Sequence, residues 1–231
     1  EKGLTVKVTC DDFSTMTKTT ENSIKIERNA IQPMAAFELE VEAPTPSAPN
    51  IPHNEIWYTA TEKADPYFDD FVTFGSNVDS NVWDSETKRG IITFDGDVTM
   101  IGDDAFNNCD KLTSITLPEC VTSIGKNAFY DCDGLTEFTI PDSVTEVGAN
   151  AFYSCGKLAS VTIGDSVTTI GNAAFYYCTS LTSVTIGDGV TTIESSAFLG
   201  CDGLHEFKGK FASEDGRCLI IDGALHCFAP N

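Results

Sequence analysis

The chain is 231 residues long and 41% hydrophobic, enough for one large packed domain or two ordinary ones, which excludes an unstructured tail. Its 35 acidic residues against 14 basic ones give a net charge of −21, which repels phosphate backbones and anionic membrane surfaces and argues against nucleic-acid binding. No apolar run approaches the ~18 residues of a transmembrane helix. Glu1 follows no Met or signal-like stretch, so the chain reads as a trimmed mature segment.

Residues 1–41 carry apolar alternation at Leu4, Val6 and Val8, at Ile24 and Ile26, and at Phe37, Leu39 and Val41. This predicts three short strands in a small β-rich N-terminal region. Residues 42–54 contain EAPTPSAPNIP, a Pro- and Ser-rich stretch that reads as a semi-rigid linker. Residues 55–88 follow, with Ile56, Trp57, Tyr58 and Tyr67 as the expected core of an N-terminal cap. A cap is expected because the end of a stacked array exposes apolar surface unless something seals it.

From Arg89 the chain repeats with a period of 23. RGIITFDGDVTMIGDDAFNNCDK opens the series, LTSITLPECVTSIGKNAFYDCDG begins at Leu112, and further copies begin at Leu135, Leu158 and Leu181. Five copies fill residues 89–203 without insertion. A fixed period in this range marks a solenoid, whose units bury their apolar faces only by stacking. Five of the nine cysteines, Cys109, Cys132, Cys155, Cys178 and Cys201, fall on the same period, which no disulfide framework or zinc site requires.

Within a unit, Leu112, Ile115 and Leu117 mark a short strand with Ser114 and Thr116 on its opposite face. Pro118, or Gly164 and Gly187 in later copies, ends it, and Val121 with Ile124 forms a second extended piece. Gly125, Gly148 and Gly171 mark a corner, after which Ala128, Phe129 and Cys132 have the spacing of one inward-facing helical turn. Stacked coils would superpose Phe106, Phe129, Phe152, Phe175 and Phe198 in an internal aromatic column, with the periodic cysteines as buried thiols beside it.

The unit LTSVTIxDxVTTIGxxAFxxC resembles the leucine-rich repeat of the BspA-like bacterial cell-surface proteins, the Treponema pallidum type. The resemblance implies a leucine-rich-repeat solenoid of the α/β class, dominated by β-structure. Each 23-residue coil would add to one parallel strand ladder and carry a second short extended segment and one helical turn. The position where commoner leucine-rich repeats place Asn or Cys holds Cys120, Ser143, Ser166 and Gly189, so no asparagine ladder is expected there. EIWYTATEK from Glu55 resembles the segment that introduces the array in this family, expected to cover its first coil, and GKFASEDGRCLIIDGALHCFAPN resembles an island that interrupts such arrays. Residues 204–231 therefore form a final strand and a β-hairpin island or C-terminal cap. Asp222-Gly223 between Cys218–Ile221 and Ala224–Phe228 is a tight-turn signal. A two-residue loop would set Cys218 opposite Cys227, as a disulfide or as two packed thiols.

Signals for catalysis are sparse. His53, His205 and His226 do not converge, and adjacent His226 and Cys227 would point to opposite faces of a strand. No nucleophile elbow, phosphate loop or H-E-x-x-H motif occurs. Asp142, Asp165 and Asp188 recur at one corner, which reads as a turn requirement rather than a carboxylate pair or calcium site. Thr122, Thr145, Thr168 and Thr191 form one row of exposed strand threonines. No catalytic, cofactor or metal residue is assigned.

What remains is the strand face. Its candidate partner-binding residues are Ser114, Thr116, Glu137, Thr139, Ser160, Thr162, Ser183, Thr185, Glu206 and Lys208. The family resemblance implies a non-enzymatic, exported bacterial surface protein or lipoprotein, extracellular, whose array binds a host or matrix protein or a surface glycan. A structural spacer is the alternative, and a glycoside hydrolase or other enzyme a third reading.

Overall fold

The computed structural model describes residues 51–66 and 73–221 in full, and strands Leu4–Thr9, Thr15–Thr20, Glu40–Val41 and Ala224–Phe228 as main chain. The chain divides into two units, Glu1–Pro49 and Asn50–Asn231. In the first, β1 (Leu4–Thr9), β2 (Thr15–Thr20) and β3 (Glu40–Val41) form an antiparallel sheet in the order β2-β1-β3. The expected strands at Leu4 and Val41 are β1 and β3. Strand β2 falls on TMTKTT, whose β-branched threonines suit an extended chain. Ile24 and Ile26 lie outside the described residues.

The second unit opens with β4 (Glu55–Ala60), β5 (Val78–Asp84), β6 (Arg89–Phe94) and β7 (Met100–Ile101). Four coils follow, each with two strands: β8 (Leu112–Thr116) and β9 (Ser123–Ile124), β10 (Glu137–Thr139) and β11 (Glu146–Val147), β12 (Ser160–Thr162) and β13 (Thr169–Ile170), and β14 (Ser183–Thr185) and β15 (Thr192–Ile193). β16 (Glu206–Lys208), β17 (Cys218–Ile221) and β18 (Ala224–Phe228) complete the chain. This is the solenoid that the period predicts. One parallel ladder runs β10-β12-β14-β16 and a second β7-β9-β11-β13-β15. Their register equals the repeat, so Glu137, Ser160, Ser183 and Glu206 are successive cross-strand neighbours.

The third side of the coil takes a form that helical spacing does not anticipate. Asn127 (φ 55°) and Asp131 (φ 58°) are both left-handed, and the pair recurs as Asn150 with Ser154 and as Ala173 with Tyr177. Amides alternate: Ala128 N–H bonds back to Gly125 O, while Phe129 N–H donates to Ala151 O of the next coil at 2.7 Å. A helical turn would direct all of these amides along its own axis. Two left-handed residues four apart instead turn every second amide toward the neighbouring coil, which satisfies main-chain groups that would otherwise be buried unpaired.

The interior is apolar. Phe106, Phe129, Phe152 and Phe175 are fully buried and stack with neighbouring ring centroids 5.1–5.2 Å apart and interplanar angles of 3–10°. Phe198 ends the column at 5.3 Å, and Phe74 closes the other end edge-on against Phe106. The ring spacing is close to the ~4.8 Å between strands, so the rings repeat with the backbone. Gly148 shows how tightly coils approach at the corner, since a Cβ there would lie 2.6 Å from the Gly125 carbonyl carbon.

The N-terminal end departs from simple stacking. By repeat position β6 is the strand of the first copy and β8 that of the second, yet they do not pair. β4 lies between them, antiparallel to both, in a sheet ordered β5-β6-β4-β8. EIWYTA is thus a strand inserted between the first two copies. Ile56 and Tyr58 are buried as expected, but Trp57 is turned outward, and Tyr67 lies outside the described residues. The Tyr58 ring occupies the space above Gly90, its cross-strand partner, where a Cβ would lie 2.0 Å from the ring.

At the other end β17 and β18 pair as the expected hairpin, with Ile221 opposite Ala224. A bulge between Leu219 and Ile220 shifts the outer pairs, so Cys218 faces Phe228 and Leu219 faces Cys227. The expected Cys218–Cys227 pairing is therefore not made, and Cys218 is a free thiol. An extra residue on one strand moves every later side chain relative to its partner.

Candidate recognition surface

Along each strand of the first ladder the middle residue is buried and its two neighbours face outward. Phe138, Val161, Val184 and Phe207 point into the core. Outside lie two rows, Glu137–Ser160–Ser183–Glu206 and Thr139–Thr162–Thr185–Lys208. The structure thus aligns eight of the ten sequence-predicted residues. Ser114 and Thr116 occupy the same repeat positions on β8, which joins β10 through the Thr136 N–H to Thr113 O bond of 3.2 Å. There they meet β4: Ser114 lies opposite Thr59, hydroxyl to hydroxyl at 2.7 Å, and Thr116 lies opposite Trp57.

Other periodic polar residues are committed to the scaffold. Thr122, Thr145, Thr168 and Thr191 each donate a hydroxyl to the main-chain carbonyl of the coil before, at 3.0–3.2 Å. Asp142 accepts the Asp165 N–H and Asp165 accepts the Asp188 N–H, both at 3.0 Å, so the recurring aspartates are corner residues. Cys120 and Ser143 donate to Val98 O and Val121 O. The left-handed corner carries a short amide ladder that the sequence reading missed. Asn127 Nδ2 donates to Asp104 Oδ1 at 3.0 Å, and Asn150 Nδ2 donates to Asn127 Oδ1 at 3.2 Å. The side-chain hydroxyls of Thr139, Ser160, Thr162, Ser183 and Thr185, by contrast, make no hydrogen bond among the described residues.

The periodic thiols are scaffold groups too. Cys132, Cys155, Cys178 and Cys201 donate to the carbonyls of Phe106, Phe129, Phe152 and Phe175, one coil earlier, at 3.0–3.1 Å. Burial pushes the Cys132 and Cys155 thiols up in pKa. For Cys178 and Cys201 the interaction with the thiol one coil earlier, Cys155 and Cys178 respectively, is the largest cause of a raised pKa, and burial adds to it. Burial takes Cys109 from 9.0 to about 11. Such thiols stay protonated and unreactive at neutral pH.

No constellation of acids, bases and nucleophiles forms among the described residues. His53 is exposed with Asp97 3.9 Å away, and His205 is exposed on a separate coil. The carboxylates held below the usual range are Asp84, bonded by the Glu86 amide, Asp95, bonded by Asn77, and Asp215, bonded by Ser213. They sit apart, at the end of β5, in the bend after β6 and in the turn before β17. No group of three His, Cys, Asp or Glu side chains could hold a metal ion among the described residues.

The chain combines a 23-residue coil, two parallel ladders and a Phe–Cys interior. The family described as BspA type leucine-rich repeat region matches residues 91–213 in six copies. The chain belongs to this family. Beyond the five 23-residue coils of this BspA-type chain, β16 ends the first ladder and its Phe207 N–H bonds to Gly216 O at 2.6 Å. Solved structures are similar, three of them as follows. A Treponema pallidum leucine-rich repeat protein is 34% identical, with TM-score 0.48, over 50% of this chain and 54% of that one. A Bacteroides ovatus leucine-rich repeat protein is 31% identical, with TM-score 0.39, over 49% of this chain and 35% of that one. A Faecalibacterium prausnitzii leucine-rich cell surface protein is 24% identical, with TM-score 0.32, over 72% and 59%. The BspA-type chain thus spans about half the length of the T. pallidum protein and a third of the B. ovatus one. No curated protein matches.

The strand face also bears residues that the sequence reading left in the cap core or did not assign. Trp57, Ile91 and Val82 are exposed large apolar side chains on β4, β6 and β5. A signal for Trp57 was available: strict alternation in EIWYTA places it on the face opposite Ile56 and Tyr58.

Proposed function

We propose that this BspA-type array is a macromolecule-recognition scaffold of an exported bacterial surface protein, and that the partner is read by the outward face of the first ladder. The observation that carries this reading is the division of labour among periodic hydroxyls. Those of Thr122, Thr145, Thr168 and Thr191 are bound to neighbouring coils, whereas those of Thr139, Ser160, Thr162, Ser183 and Thr185 are left to solvent. An uncommitted row of donors and acceptors on a rigid scaffold is suited to contacting another surface without reorganising. Family membership supports a scaffold over a catalyst, and adhesion to a host or matrix protein is the use that fits a surface location.

The test is saturable binding of the purified chain to immobilised extracellular-matrix and serum fractions, repeated with Ser160→Lys/Ser183→Lys. Loss of binding in the double variant supports the reading. Binding that is absent, or unchanged in the variant, returns the array to the role of a spacer.

A further inference from the structure

Trp57, Ile91 and Val82 are one line across three adjacent strands. Trp57 is paired with Ile91, and Ile91 with Val82. All three point outward, 37%, 39% and 65% exposed. On its other side Trp57 is paired with Thr116. The row that ends in Thr139, Thr162, Thr185 and Lys208 therefore begins on an apolar platform, spanning roughly 10 Å at the ~4.8 Å strand spacing. Single exposed apolar residues are ordinary, but three side by side across a sheet are costly to hydrate and mark interaction surfaces. The Trp57 ring is already oriented, because Nε1 donates to Glu55 Oε2 at 2.6 Å.

We infer that this platform, and not the repeats, takes the anchoring apolar side chain of an extended, basic polypeptide segment of the partner. The inference rests on the recognition reading above and names the chemistry of its partner. Two features choose a basic polypeptide. Ile91 and Val82 have no π face for a sugar ring to stack on, so two thirds of the platform suits an aliphatic or aromatic side chain. One flank is acidic, with Glu55 beside Trp57; on the other, Asp84 ends the outermost strand two residues from Val82 on the same face, with Arg89 as its cross-strand partner on the inner side. Lys208 at the far end of the row is tied to Glu206 at 3.1 Å, and the net charge of −21 adds long-range attraction for cations.

The strand geometry gives the matching pattern. β5 is the outermost strand of its sheet among the described residues. An extended segment laid along it presents alternate side chains beside Ser80, Val82 and Asp84, so an apolar residue with Lys or Arg two positions away fits.

The experiment measures fluorescence anisotropy of labelled peptides against the purified chain at low ionic strength. The probes are Thr-Lys-Thr-Ile-Thr-Lys-Thr, the same peptide with Glu for Lys, and the same with Ser for Ile, with cello-, xylo- and chito-oligosaccharides as competitors. The expected result is salt-sensitive binding of the first peptide, each altered peptide weaker by about tenfold or more. Val82→Thr/Ile91→Thr should weaken it comparably while keeping β-propensity. Glu119→Gln, at an exposed turn outside the strand face, should leave peptide binding intact. Equal binding of the Glu peptide, no loss in the threonine variant, displacement by a sugar, or no binding at millimolar peptide overturns the inference. A natural partner that ignores Val82→Thr/Ile91→Thr but is lost with Ser160→Lys/Ser183→Lys would overturn it while leaving the recognition function standing.

Discussion

The Cys155 thiol donates a hydrogen bond of 3.1 Å to the main-chain carbonyl of Phe129, 26 residues earlier and one coil away. That contact links the two periodic interior features, since Phe129 also stacks on Phe152 at 5.1 Å. Cys155→Ala deletes the donor and leaves a small void, and should cost ~1–3 kcal/mol by denaturant titration. In the native protein Cys132, Cys155 and Cys178 should resist alkylation while half-buried Cys218 reacts, read by mass spectrometry. Labelling of the interior thiols as fast as Cys218 would contradict the buried ladder.

The interior thiols also predict an alkaline limit. Cys109 releases its proton at about 11 in the fold against 9.0 ordinarily, because burial opposes the thiolate. The folded state thus holds the proton more tightly than the unfolded chain does. The stability this contributes is intact below about pH 9 and is lost as pH rises through about 11, amounting to ~3 kcal/mol for this thiol. Unfolding midpoints at pH 8 and pH 10.5 should differ less in Cys109→Ser than in the wild type.

Phe152→Ala removes the middle ring of the column. Because neighbouring coils are fixed at strand spacing and cannot close on the gap, the loss should be ~3–5 kcal/mol in equilibrium unfolding. A melting curve superposable on wild type would be incompatible with the stacked interior.

Gly90→Ala tests the inserted strand. The added Cβ meets the Tyr58 ring at 2.0 Å, so β4 must move or Tyr58 must leave its pocket, where its hydroxyl donates to Asn81 at 2.8 Å. The expected cost is ~1–3 kcal/mol, accompanied by faster hydrogen exchange over residues 55–60. Exchange unchanged there would mean that β4 is held by other contacts.

Ala173 is left-handed at φ 52°, where the preceding copies place Asn127 and Asn150. Ala173→Asn relieves a backbone that alanine tolerates poorly and extends the amide ladder that Asn150 and Asn127 begin, for a gain of ~1 kcal/mol. Lower stability of this variant would show that the ladder cannot continue.

The sequence alone determined the coil. A strict 23-residue spacing forces equivalent residues into register, so Phe129 over Phe152 and Glu137 beside Ser160 were legible before any coordinates, as was the row of outward hydroxyls. The turn-rich third side was partly legible, because Asn and Asp at 127, 131 and 150 are the residue types that accept a left-handed backbone, although the Ala128–Phe129–Cys132 spacing imitates a helix. The tertiary structure decided what periodicity does not encode. Pairing of residues 55–60 with residues 112–116 joins segments outside the repeat, and nothing local tells an extended strand which sheet it will enter or between which neighbours. The bulge at Leu219 moved Cys218 away from Cys227 for a related reason: strand register depends on the whole pair of strands and their twist, while sequence spacing counts only residues. The platform of Trp57, Ile91 and Val82 is a product of that same non-local choice, since only the insertion of β4 brings the three side chains onto one line.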